Sequence, residues 1–157
     1  MKYLTRRSVL FLLTVAAVWA PIKPFAQGLG KFDRSKLYIV GRSGKHEFDV
    51  ELALTKRQQR QGLMFRRSLP ANAGMLFDYQ IPTTITMWMK NTFIPLDMIF
   101  LGNDGRVTSI SQRTIPHSEA VIASRGRARA VLEVNGGTVS RLGIMLGDRV
   151  EHPIFGN

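Results

Sequence analysis

The chain has 157 residues, 45% of them hydrophobic, which suffices for one domain with a single core. It carries 22 Lys and Arg against 11 Asp and Glu, a formal net charge of +11, and contains no cysteine. Disulfides, thiolate metal sites and a cysteine nucleophile are thereby excluded, and the fold must rest on packing.

The first 26 residues stand apart. Lys2, Arg6 and Arg7 precede an apolar run over residues 8–20, which is shorter than the roughly 20 residues a bilayer-spanning helix needs. Residues 1–26 therefore read as a signal peptide. The order Thr5-Arg6-Arg7-Ser8-Val9-Leu10 resembles a twin-arginine export motif, and Lys23 beyond the apolar run fits that route. Cleavage after Ala26 is expected, and membrane contact arises only if the segment stays uncut. The domain is then exported: periplasmic, or secreted where there is no outer membrane. Removal of 1–26 takes four of the 22 basic residues and none of the 11 acidic ones, so the remainder is still net +7. Such a charge fits a solvated face or an anionic envelope surface, and export argues against nucleic acid.

Residues 27–36 form a flexible lead-in to one β-rich domain over 37–157. Runs 37–40 and 47–54 predict a hairpin around Ser43-Gly44, with Phe48, Val50, Leu52 and Leu54 inward and Glu47, Asp49 and Glu51 outward. Thr55 followed by Gln58 is a capping-box pattern for a short helix ending at Gly62. Strands are expected over 75–79, 85–89 and 98–101, and Asn103-Asp104-Gly105 turns the chain into 106–111. Pro116 and His117 open a loop, with a helical turn over 118–123 and a strand over 128–134. Gly136-Gly137-Thr138 starts a second short helix through Leu142, and Gly147-Asp148 leads into a last strand at 149–151. This is a mainly β pattern with minor α: a compact single-domain barrel or sandwich of short antiparallel strands with two short helices.

Five segments carry a resemblance: GLMFR (62–66), GMLFDY (74–79), MWMKNTFIPLDMIF (87–100), AVLEVNGG (130–137) and LGDRV (146–150). In content and order they resemble the domain of unknown function 192 family, which has no agreed biochemical activity to carry over. Where its members usually have Glu and Arg, this chain has Gln58 and Gln59. The change keeps the cap and removes two charges.

Within 87–100, Lys90, Asn91, Thr92 and Asp97 are squeezed between core-forming side chains beside a turn set by Pro95. A lysine near a carboxylate can hold an anionic or carbonyl-bearing ligand, with Asn91 and Thr92 adding hydrogen bonds. The competing structural role is that Asn91 and Thr92 cap the turn while Asp97 pairs with Lys90 or with backbone amides. Glu133, between Leu132 and Val134, is expected to point inward and to need a partner, for which Arg66 or Arg67 is the natural choice. The candidate ligand-binding set is thus Lys90, Asn91, Thr92, Asp97, Arg66 and Glu133, with no catalytic residue assigned.

The function this implies is an exported small-ligand-binding or envelope-associated module. It acts as a monomer on an unknown small molecule or envelope component. No cofactor or metal is expected, because His46, His117 and His152 are singly spaced and the glycines lack any phosphate-loop order. One alternative is a hydrolase using Asp97, Glu133 and His117, which requires two titratable groups in one cleft. Another is a copper carrier using Met64, Met75, Met87, Met89, Met98 and Met145. Strand alternation turns Met87 and Met89 away from Trp88, so these thioethers are expected to fill the core instead.

Overall fold

The structure, a computed structural model, describes residues 31–156, so the expected signal peptide lies outside the described residues. Strand β1 (Asp33–Gly41) and strand β2 (Gly44–Ala53) form the expected hairpin. β1 already pairs at Asp33, opposite Leu52, so residues 33–36 belong to the sheet and not to a flexible lead-in. Phe48 and Val50 are buried as alternation requires, but Leu54 is 40% exposed because the chain leaves the sheet there to enter a helix cap.

That cap opens helix α1 (Lys56–Gln61). The Gln58 amide donates to Thr55 Oγ1 at 3.2 Å while the Thr55 amide donates to Gln58 Oε1 at 2.9 Å, a reciprocal capping box. α1 returns the chain to strand β3 (Ala73–Thr83), which runs parallel to β2, with Asp49 opposite Ala73 and Ala53 opposite Phe77. One pair therefore departs from the antiparallel expectation, as it must when a helix carries the chain back to the same end of the sheet.

Strand β4 (Thr86–Met87) is shorter than the strand expected at 85–89. It pairs with β7 (Ile122–Ala123), which takes the place of the expected helical turn. The other elements are β5 (Leu96–Leu101), β6 (Val107–Thr114), β8 (Ala128–Asn135), helix α2 (Thr138–Leu142) and β9 (Arg149–Glu151). A short 3₁₀ turn follows at Pro153–Phe155.

Seven strands make one curled sheet, a half-barrel in the order β6-β5-β8-β3-β2-β1-β9. At one end its two edges meet, where the Val107 amide donates to Asp148 O and the Val150 amide to Gly105 O, at 2.9 and 2.8 Å. Gly105 is required there: its φ is 80°, and a Cβ would stand 2.5 Å from Val150 O.

Central strands β3, β8 and β5 are buried on both faces, so their side chains alternate between two cores. The register row Leu76, Leu132, Ile99 lies in one core, with Leu37, Phe48 and Val107. The adjacent row Phe77, Val131, Phe100 lies in the other, with Leu63, Ile85 and Met89. This second core positions the candidate site.

Candidate functional site

Asp97 and Glu133 sit on neighbouring strands. Asp97 is opposite Val134 and Glu133 is opposite Met98, so strand alternation sends the two carboxyls to opposite faces of the sheet. Asp97 is fully buried. Its Oδ1 accepts the Arg113 amide at 2.7 Å, Oδ2 accepts the Val139 amide at 2.8 Å, and the Gly137 amide lies 3.0 Å from both oxygens. A register shift in the β5–β6 pairing and the positive φ of Arg113, 48°, aim the first of these donors. Asp97 thus ties the β6 end and the start of α2 to β5, with no lone pair directed at a ligand.

Lys90, Asn91 and Asp97 consequently do not converge. Lys90 Nζ pairs with Glu119 Oε1 at 3.3 Å and lies 5.5 Å from the Trp88 ring centroid. Asn91, at φ 54°, gives its carbonyl to the Phe65 amide at 2.8 Å. Buried Thr92 donates from Oγ1 to Lys90 O at 3.3 Å, closing the turn. The Lys90 to Asp97 loop braces the fold, so the expected binding cluster is corrected: the Lys90, Thr92 and Asp97 side chains have local partners, and Asn91 braces the loop through its backbone carbonyl.

Arg66 is not the partner of Glu133. It makes a two-pronged pair with Glu51, Nη1 to Oε1 at 3.0 Å and Nη2 to Oε2 at 2.5 Å. This pair borders a groove of about 590 Å³ along β1, β2 and β3, where Arg34 also reaches Glu51 at 3.5 Å. The charges of that groove are largely matched within it.

Glu133 does point inward, as its sequence context predicts. It lies between Met75 and Met98 in the register row of the second core and is 3% exposed. Among the described residues its carboxyl makes no hydrogen bond and no ion pair. Burial pushes its pKa up to about 8, so the group is a neutral acid and a hydrogen-bond donor at neutral pH. It closes the floor of a cavity of about 430 Å³.

Apart from Thr92, the walls of that cavity come from residues that the sequence did not assign to a site. Phe77 and Tyr79 follow Met75 on the same face of β3, and Met87 and Trp88 come from β4 and its continuation. Lys56 and Arg60 of α1 stand at the mouth, and Thr92 joins the lining. The Tyr79 hydroxyl donates to Met87 Sδ at 3.4 Å, and burial, with the Glu133 charge beside it, pushes the phenol up to about 12. The period-two spacing Met75, Phe77, Tyr79 was the available sign that Tyr79 shares a face with Glu133.

The alternatives fare differently. His117 is exposed and packs on Phe93, with ring centroids 5.1 Å apart, while Asp97 and Glu133 face apart; no cleft gathers the proposed hydrolase trio. Met75, Met89 and Met98 are fully buried, Met145 is 45% exposed, and Met89 Sδ accepts the Thr114 hydroxyl at 3.1 Å. Met75, Met89 and Met98 are core groups and Met145 lies at the surface, so these thioethers do not make one convergent soft site.

Fold and site together define a β half-barrel with an acid-floored aromatic cavity on the outer face of its central strands. The chain belongs to the domain of unknown function 192 family, described as "Uncharacterized ACR", whose profile matches residues 38–152. A solved protein from Sinorhizobium meliloti 1021, provisionally labelled a transcription regulator, is 44% identical with a TM-score of 0.78, covering 81% of this chain and 99% of its own. A protein of unknown function from Novosphingobium aromaticivorans DSM 12444 is 45% identical with a TM-score of 0.74, covering 76% of this chain and 85% of its own. No curated protein matches this chain.

Proposed function

We propose that this protein is an exported domain that binds a small molecule in the cavity above Glu133. The observation that carries this reading is a carboxyl 3% exposed, facing a cavity, with no hydrogen-bond partner among the described residues. Its oxygens open onto the cavity and are not sealed from solvent, so at the centre of an apolar row they pair only with what enters the cavity, water or a ligand. A ligand that accepts a hydrogen bond from the Glu133 hydroxyl supplies that partner, and apolar walls around a few polar groups are the usual composition of small-molecule sites. A perturbed acid in a cleft points the same way.

Of the sequence-derived candidates, Thr92 and Glu133 stay in this site, whereas Lys90, Asn91, Asp97 and Arg66 serve the scaffold. Export rests on Arg6, Arg7 and the apolar run over 8–20, and would place the ligand among periplasmic or envelope molecules. The test is a thermal-shift screen of the purified protein against cell-wall fragments, sugars, nucleotides and small organic acids, since a ligand of the native state alone raises its melting temperature. A hit should lose its effect in Thr86→Trp, because Thr86 lines the cavity beside Met87 and Trp88 and an indole there fills it. Either an empty screen or hits indifferent to Thr86→Trp would refute the reading.

A further inference from the structure

We infer that the cavity takes an amphiphilic organic anion: a small, largely apolar molecule with an anionic group between Lys56 and Arg60 at the mouth and a hydrogen-bond acceptor against Glu133 at the floor. This rests on the reading of the cavity as a binding site and adds the chemical class of its occupant.

The two ends of the cavity differ in what they lack. At the floor the unsatisfied group is an acid flanked by Met75 and Met98, so its complement is a carbonyl or ether oxygen. At the mouth Lys56 and Arg60 form no ion pair among the described residues. The Lys56 ammonium rests only near the Tyr79 ring, 5.8 Å from its centroid. Lys90, the next cation along, is already matched by Glu119. Among the described residues Glu133 is the only acid lining the cavity, and burial favours its protonated form.

An ammonium ligand would therefore meet two cations on entry and a neutral acid at the end. An anion is instead attracted at the mouth and meets no opposing charge at the floor, and charge-assisted hydrogen bonds to lysine and arginine are about twice as strong as neutral ones. Between the two ends, Phe77, Tyr79 and Trp88 offer aromatic surface, and Trp88 is 47% exposed. Flat, conjugated bodies stack best against such walls.

The test uses matched probes of two lengths on the purified protein, read by calorimetry. 4-Acetylbenzoate and 4′-acetylbiphenyl-4-carboxylate carry both features; their isopropyl analogues lack the acceptor, and their carboxamides lack the charge. At least one acetyl carboxylate should bind, and loss of either feature should weaken it by about tenfold or more. In Lys56→Ala/Arg60→Ala the carboxylate should fall to the affinity of its amide, with amide affinity unchanged. Equal binding of amide and carboxylate, equal binding of isopropyl and acetyl forms, or tighter binding of 4-acetylbenzylamine would each overturn the ligand class while leaving the cavity reading intact. A screening hit without an anionic group would do the same. Silence from these probes and from the wider screen would bring down both.

Discussion

Asp97 and Glu133 lie one register step apart on adjacent strands, yet one carboxylate is saturated by three backbone amides and the other carboxyl has no partner among the described residues. Alternation on β5 and β8 produces this division. The inner face receives Asp97 beside the α2 start, where donors are plentiful. The outer face receives Glu133 beside two methionines, where none of the described residues donates to it. One acid therefore braces the scaffold and the other faces the cavity.

Removing the Asp97 carboxylate leaves the Arg113, Gly137 and Val139 amides without their acceptor inside the fold. Asp97→Ala should cost at least about 3 kcal/mol, because each unsatisfied buried donor carries its own desolvation penalty. Urea unfolding of the variant against the parent checks this. A loss below about 1 kcal/mol would mean the amides find water instead.

Lys90→Ala should do little. Its ion pair with Glu119 joins side chains 42% and 62% exposed, and such surface pairs contribute less than about 1 kcal/mol. The variant should keep its melting temperature within a few degrees and keep any ligand bound above Glu133. Loss of binding in Lys90→Ala would return the site to the loop.

Glu133 makes stability depend on pH. Its folded pKa, about 8, exceeds the unfolded value of 4.5, so the native state holds the extra proton between those limits. Stability from this group is fully present below pH 4.5 and is lost as pH rises towards about 8, at up to roughly 1.4 kcal/mol per pH unit. His152 acts in the opposite sense: burial lowers its pKa, so its contribution is lost as pH falls below its ordinary value of 6.5. The difference between parent and Glu133→Gln isolates the first effect. Denaturant midpoints across this range should show the parent losing ground to the variant as pH rises.

Gly105→Ala tests the closure of the half-barrel. The new Cβ would press on Val150 O at 2.5 Å, in a left-handed conformation that alanine resists. A loss of about 2 kcal/mol or more is expected, with hydrogen exchange at the Val150 amide speeding up more than at the central strands.

Local chemistry was the part of this fold that the sequence displayed. Thr55 and Gln58 announce their capping box, Asn103-Asp104-Gly105 its hairpin, and Gly136-Gly137-Thr138 the start of α2, since each device is contained within a few residues. The parallel return of β3 and the two-residue ribbon of β4 and β7 were hidden. Ile85 exchanges hydrogen bonds with Ser124 across 39 residues, a pairing that leaves no period in either segment. The same distance effect governs the site. Flanking Leu132 and Val134 showed that Glu133 turns inward, but Arg66 was committed to Glu51 on another strand, and Tyr79, Trp88, Lys56 and Arg60 meet only in the folded chain.

The most direct measurement is the ¹³C shift of the Glu133 side-chain carboxyl, followed by NMR from about pH 4 to about pH 10. A carboxyl buried in an apolar row with no partner among the described residues should titrate with a midpoint of about 8. A midpoint near the ordinary 4.5 would show an acid already solvated or paired, and would contradict the claim that the cavity floor awaits a ligand.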